Sequence, residues 1–310
     1  MVNARFCSQH SKIPKVQVPF LLKSKIAAPS SNMAFLLDPL QYSFMLRALL
    51  ASVIVGVLCA VMGTYVVLRG MAFLGDALAH AILPGVAIAY LLHGNLLVGA
   101  LVAAIVIALS IGLFSKEGAI REDTAIGILF AAALSLGIAL ISTIKTYAVD
   151  LSHILFGNVL GVSSLDLWLT AGLGFLILLT VVMLYKPFLV ISFDPVLAAT
   201  MRLPAALLRN LMLILLALTV VVSLQTVGVG LAAAMLVTPA ATAYLLTRRL
   251  ISMMLISAAL GALSSIIGLY LSYYINIVSG SAIVLTATAF FLIAFLFNPR
   301  QGLLRQRKTS

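Results

Sequence analysis

Asp76 and His80 are the residues of this sequence best placed to do chemistry. They lie in RGMAFLGDALAHAILPGVAIAYLL, residues 69–92, a stretch otherwise apolar enough to enter a membrane. A carboxylate at the centre of a bilayer costs at least about 2.5–3.5 kcal/mol, so it is rarely placed there without use. At spacing i, i+4 the two side chains share one face of a helix. Carboxylate oxygen and neutral imidazole together suit divalent ions such as Zn²⁺ and Mn²⁺. Pro84 removes the hydrogen bond that the His80 carbonyl would accept, so a free backbone oxygen is expected beside the pair. Two other uses compete: a buried polar pair that locks helix packing, and a proton relay in a proton-coupled secondary metal carrier. An intramembrane hydrolase would need three protein ligands and a base, and the sequence embeds one Asp–His pair only.

The elements that must position this pair are membrane helices. The chain has 310 residues, is 63% hydrophobic and only 9% charged, with a mean hydropathy of +1.22. Such a composition excludes a soluble domain and describes an all-α polytopic membrane protein, a bundle of about eight or nine spans. The formal charge of +11 does not indicate a nucleic-acid partner, because the basic residues fall in short loops and tails between apolar runs. Cys7 and Cys59 cannot define a disulfide framework. No phosphate-binding loop, HExxH or GxSxG pattern is present, so the chain brings no ATPase or hydrolase site of its own and is not expected to be an enzyme.

Residues 1–32 are basic and free of acidic residues. They are expected to form a disordered extension upstream of Met33, a targeting segment being the alternative. From residue 33 to 298 the apolar runs predict helices near 44–68, 72–92, 96–114, 124–144, 166–185, 207–226, 228–247, 250–272 and 281–298. Each is about long enough to cross a bilayer. A tail, 299–310, carries Arg300, Arg305, Arg307 and Lys308. With that tail in the cytoplasm, Arg69, Lys116, Arg121, Lys186, Arg202, Arg209, Arg248 and Arg249 fall inside, and only Arg47 and Lys145 of the basic residues after Met33 fall outside. The positive-inside rule therefore places the C-terminus in the cytoplasm.

Three further stretches carry signals. The outer loop with Asp150, His153, Asn158 and Asp166 is either a solvated loop or a vestibule that attracts cations and docks a delivery protein. The inner loop 186–206, KPFLVISFDPVLAATMRLPAA, contains Asp194-Pro195, an N-cap followed by proline at the first helical position. A short surface helix from about 195 to 202, ending before Pro204, is expected there. In 227–250 small residues permit close helix packing. Pro239 frees the Met235 carbonyl, with Thr238 and Thr242 nearby to compensate. A packing helix is the favoured reading of that stretch, ahead of a pore-lining one. His93, at the end of its run, is expected to be interfacial.

Six stretches in order resemble the integral-membrane permeases of zinc, manganese and iron ABC importers, the ABC-3 family: GTYVVLRGMAFLGDALAHAILPG (63–85), REDTAIGILF (121–130), DLSHILFGN (150–158), FDPVLAATMRLP (193–204), LQTVGVGLAAAMLVTPAATAYLL (224–246) and SGSAIVLTATAFFLIAFLFNPRQGLL (279–304). The resemblance implies a permease working as a dimer in the plasma (bacterial inner) membrane, with two cytoplasmic ATPase subunits and an extracytoplasmic metal-binding protein. It implies that Asp76 and His80 lie in the metal pathway; Asp150 and His153, from the polar outer loop, are the candidates for extracytoplasmic metal entry. It also implies that Asp194, Pro195, Ala198, Ala199, Arg202 and Pro204 belong to a coupling helix gripped by the ATPase. No tightly bound cofactor is implied; the metal is substrate, and ATP sits on the partner.

Overall fold

The computed structural model describes residues 38–115, 120–143, 159–193, 198 and 200–297. Pro39–Ser310 forms one unit, and its described residues contain helices and no strand. The helices are α1 (Ser43–Leu68), α2 (Leu74–Ala81), α3 (Leu83–Leu91), α4 (Leu96–Phe114), α5 (Glu122–Ser142), α6 (Ser164–Met183), α7 (Tyr185–Phe193), α8 (Ala205–Val227), α9 (Val229–Leu246), α10 (Leu250–Ile275) and α11 (Ser279–Phe297). Among the described residues, nine spans are long and apolar enough to cross a membrane, with α2 and α3 together forming one of them.

Two segments differ from the sequence expectation. The predicted helix 72–92 is broken at Ile82 into α2 and α3. The cause is Pro84, which sits in the first turn of α3, where its missing N–H is no loss. The Ile82 N–H is directed to the His80 carbonyl, so that oxygen is not the free group the sequence suggested. The second difference is α7, nine helical residues in what reads as the start of a long connection. Phe188 and Ile191 are buried, and the Phe188 ring meets Tyr65 of α1 edge-on at 5.9 Å. Tertiary burial, rather than local charge pattern, makes this segment a helix.

Helix α1 is the hub. It packs on α10, α9, α6 and α8, while α3, α4 and α5 form a flank that α8 joins through α4. Close approach is achieved with small residues. A Cβ on Gly63 would strike the Leu236 carbonyl of α9, and Gly56 of α1 meets Gly261 and Ser265 of α10. Hydroxyls add bonds across these contacts: Ser257 Oγ donates to the Ala60 carbonyl at 2.9 Å and Ser265 Oγ to the Ser52 carbonyl at 2.9 Å. The outward faces of α4, α5, α6, α10 and α11 leave large apolar side chains exposed, as lipid-facing surfaces require.

Hydrogen bonds mark the two ends of the bundle. At one end the Arg47 guanidinium of α1 donates to Ser164 of α6 at 3.4 Å, and Gln225 of α8 donates to Asp166 at 3.0 Å. At the other, Arg69 after α1, the start of α5 and the start of α8 converge.

Candidate metal-translocation site

Asp76 and His80 sit on α2, a two-turn helix with the carboxylate in its first turn and the imidazole in its last. The carboxylate suits the helix macrodipole, which favours a negative group early. The helix is held from several sides, by α5, α9, α8 and α4. Gly75 brings it against Leu236 of α9, and the His80 ring lies 6.1 Å from the Phe130 ring of α5.

The Asp76 Oδ1 to His80 Nε2 separation is 3.7 Å, beyond a hydrogen bond. It is shorter than two metal–ligand bonds of about 2.0–2.2 Å each, so one ion can touch both atoms. The Asp76 side chain is 52% exposed and that of His80 30%, so the pair is open to an arriving ion. Among the described residues no group of three His, Cys, Asp or Glu side chains could hold a metal together. The pair therefore offers two donors of an incomplete shell.

The remaining sequence-predicted residues divide plainly. Asp150, His153, Asn158, Asp194, Pro195 and Ala199 lie outside the described residues. Ala198 is helical and fully buried, and Arg202 and Pro204 are exposed. Asp166 closes a capping box with Ser163 at the start of α6 and accepts from Gln225; it is a structural carboxylate at that bundle end. His93 ends α3 with φ 51° and is exposed. Pro239 lies inside α9 and is buried. Thr242 Oγ1 donates to the Thr238 carbonyl at 2.7 Å, so its hydroxyl serves that carbonyl and not the one freed at Met235. Gly63 and Gly75 both set their helices against Leu236 of the same α9, which fits a packing helix.

Arg202 adopts φ 55°, and the Leu203 N–H reaches back to the Ala198 carbonyl at 3.1 Å. This contact, five residues back across a left-handed residue, is of the Schellman kind. The same kind of contact closes α1, where Met71 N–H bonds the Val66 carbonyl at 3.0 Å around Gly70 at φ 71°. Glycine is at ease there, whereas an L side chain in that region costs about 1–2 kcal/mol. Arg202→Gly is thus expected to raise the stability of the purified protein by up to about 1 kcal/mol, read as an upward shift of its thermal unfolding midpoint. A fall would contradict the geometry.

One group of charges was not singled out as a site by sequence reasoning. Arg69 donates to Glu122 Oε1 at 2.9 Å, and Arg209 Nε stands 3.9 Å from the same oxygen. Arg209 also donates to the carbonyls of Gly112, at 2.9 Å, and Ser115, at 3.2 Å, at the end of α4. Burial pulls the Arg69 guanidinium below its ordinary value, Glu122 pushes it back up, and Arg209 lowers it again. The signal available in the sequence was Glu122 itself, an acid in an end otherwise rich in basic residues.

The model of the ABC 3 transport family matches residues 41–298. The manganese transport system membrane protein MntC of Halalkalibacterium halodurans is 48% identical over 275 residues, 88% of this chain and 94% of its own. The protein of the same name from Listeria monocytogenes is 50% identical over 276 residues, 89% of this chain and 98% of its own. Among solved structures, PsaBC from Streptococcus pneumoniae in complex with Fab matches with a TM-score of 0.77 and 42% identity, covering 89% of this chain and 99% of that chain.

Proposed function

The chain belongs to the ABC 3 transport family, and from that premise we propose that manganese is the cargo it carries and Asp76–His80 the site that carries it. It is the membrane-spanning permease subunit of an ATP-driven metal-ion importer. ATP hydrolysis belongs to a separate subunit, and the chain itself is not an enzyme. The permease domain is 33–298, flanked by the basic extension 1–32 and the basic tail 299–310. The bundle end with Arg69 and Arg209 faces the cytoplasm, in keeping with the positive-inside rule.

The observation that carries this reading is the Asp76–His80 pair, two accessible metal donors 3.7 Å apart in an apolar bundle. A divalent ion must exchange lost water for oxygen or nitrogen ligands before it can pass hydrocarbon. A second copy of the chain, backbone carbonyls and water complete the shell around the ion. An extracytoplasmic binding protein delivers the ion near Asp150 and His153. The segment of Asp194, Pro195, Ala198, Ala199, Arg202 and Pro204 engages the ATPase. Closure of the ATPase pair shifts this segment, and the pathway changes from outward to inward access. The manganese names of relatives 48% and 50% identical to this chain support manganese as the cargo.

The test is uptake of labelled manganese by cells expressing the chain with its ATPase and binding protein, challenged with equimolar zinc or ferrous iron. Uptake is expected to vanish when the lysine of the ATPase phosphate loop is replaced. Uptake indifferent to that replacement would indicate a proton-coupled carrier instead. Complete suppression by equimolar ferrous iron would reassign the cargo.

A further inference from the structure

We infer that Glu122 is a positioning carboxylate shared between Arg69 and Arg209, through which movement of the ATPase-facing loop reaches the helix that bears Asp76 and His80. The inference rests on the importer reading above and goes beyond it, because these three residues touch no ion. Arg209 lies on α8, which begins at Ala205 directly after Arg202 and Pro204. Arg69 caps α1 and opens the short connection 69–73 into α2. Glu122 opens α5, the helix that packs most extensively on α2. One carboxylate therefore stands between the loop side and the metal side.

The contacts are unequal. Glu122 Oε1 bonds Arg69 at 2.9 Å, whereas Arg209 Nε is 3.9 Å from that oxygen and is a buried donor with no hydrogen-bond partner among the described residues. A buried unmet donor is costly and normally finds a partner. A displacement of α8 of about 1 Å would bring Nε to ordinary hydrogen-bond distance. Arg209 is meanwhile tethered to the last carbonyls of α4, so it cannot simply swing into water. The Glu122 carboxylate, with lone pairs enough for both guanidiniums, then bonds Arg209 as well as Arg69 when α8 moves. That ties α8 to the α1–α2 joint. An Arg209 that is bonded or not bonded to one partly buried carboxylate forms a two-position element, the kind that turns a small shift into a discrete change.

The test uses the permease reconstituted in liposomes with its ATPase and binding protein, carrying spin labels at Leu207 on α8 or at Phe73 before α2. Both positions are exposed, at 62% and 81%. In the parent protein ATP is expected to alter the spectrum at both labels and to drive manganese uptake. Glu122→Gln is expected to keep ATP hydrolysis within about twofold and to keep the change at Leu207. It should lose the change at Phe73 and lower manganese moved per ATP at least tenfold. Glu122→Asp should recover much of that ratio, because it restores the charge. If Glu122→Gln is poorly produced, Arg209→Lys, which keeps the charge and loses the fork, should show the same separation of the two labels. An unchanged ratio of manganese to ATP, or parallel loss of hydrolysis, uptake and both spectral changes, would overturn the inference. Parent uptake that ignores ATP would instead overturn the importer reading.

Discussion

Asp76→Asn is expected to lower manganese uptake by at least about 100-fold at unchanged membrane abundance. Asparagine keeps the volume of the side chain and one carbonyl oxygen, so α2 has no steric reason to unfold. What is lost is the negative charge, and a carbonyl is a weaker replacement for water around a divalent ion than a carboxylate. The magnitude follows from scale: altering a group that merely orients a metal ligand costs about 10–100-fold, and Asp76 is proposed as a ligand itself. The pair has no third His, Cys, Asp or Glu nearby among the described residues to take over. His80→Ala is expected to behave alike, with the added loss of the ring contact to Phe130. The measurement is initial uptake of labelled manganese, normalised to permease in purified membranes. Parent-level uptake by Asp76→Asn would remove this pair from the pathway and return it to a packing role.

Gly63→Val is expected to remove most of the protein from the membrane fraction. A Cβ at this position meets the Leu236 carbonyl, and the Ala240 Cβ stands 3.3 Å away on the next turn of α9. Neither is the free end of a flexible side chain, so α1 and α9 would have to separate. Overpacking a tight contact costs about 1–3 kcal/mol and occasionally more. Here the separation would also loosen α2, since Gly75 leans on the same Leu236. Gly127→Ala and Gly172→Ala are the controls, because a Cβ at either meets nothing within 4 Å. Alanine there should be neutral or slightly stabilising, as it lowers the entropy of the unfolded chain. Abundance by immunoblot and thermal unfolding in detergent distinguish the two classes. Equal behaviour of Gly63→Val and the controls would mean that the α1–α9 contact is not as close as described.

The legible parts of this protein are those set by local spacing. Long apolar runs specify the spans, because the bilayer imposes both length and composition. The predicted run 96–114 coincides with α4, and most other boundaries move by only a few residues. Asp76 and His80 could be paired from sequence because i, i+4 neighbours are neighbours in any helix. The break at Ile82 was not predicted for the run 72–92, although the ring chemistry of Pro84 explains it once seen.

What only the tertiary structure decided depends on which faces meet. Helices that are apolar all round carry no stripe to say which side is the core. Nothing local therefore pairs Gly63 with Leu236, or makes α7 a helix through the burial of Phe188 and Ile191. The same holds for Glu122, whose partner Arg69 is 53 residues away in the chain. Charge counting assigned these residues to one membrane face. Packing of α1, α5 and α8 at a single bundle end brought them within reach of one oxygen. The left-handed turn at Arg202 is likewise invisible in composition, because tertiary context holds an arginine where local preference asks for glycine.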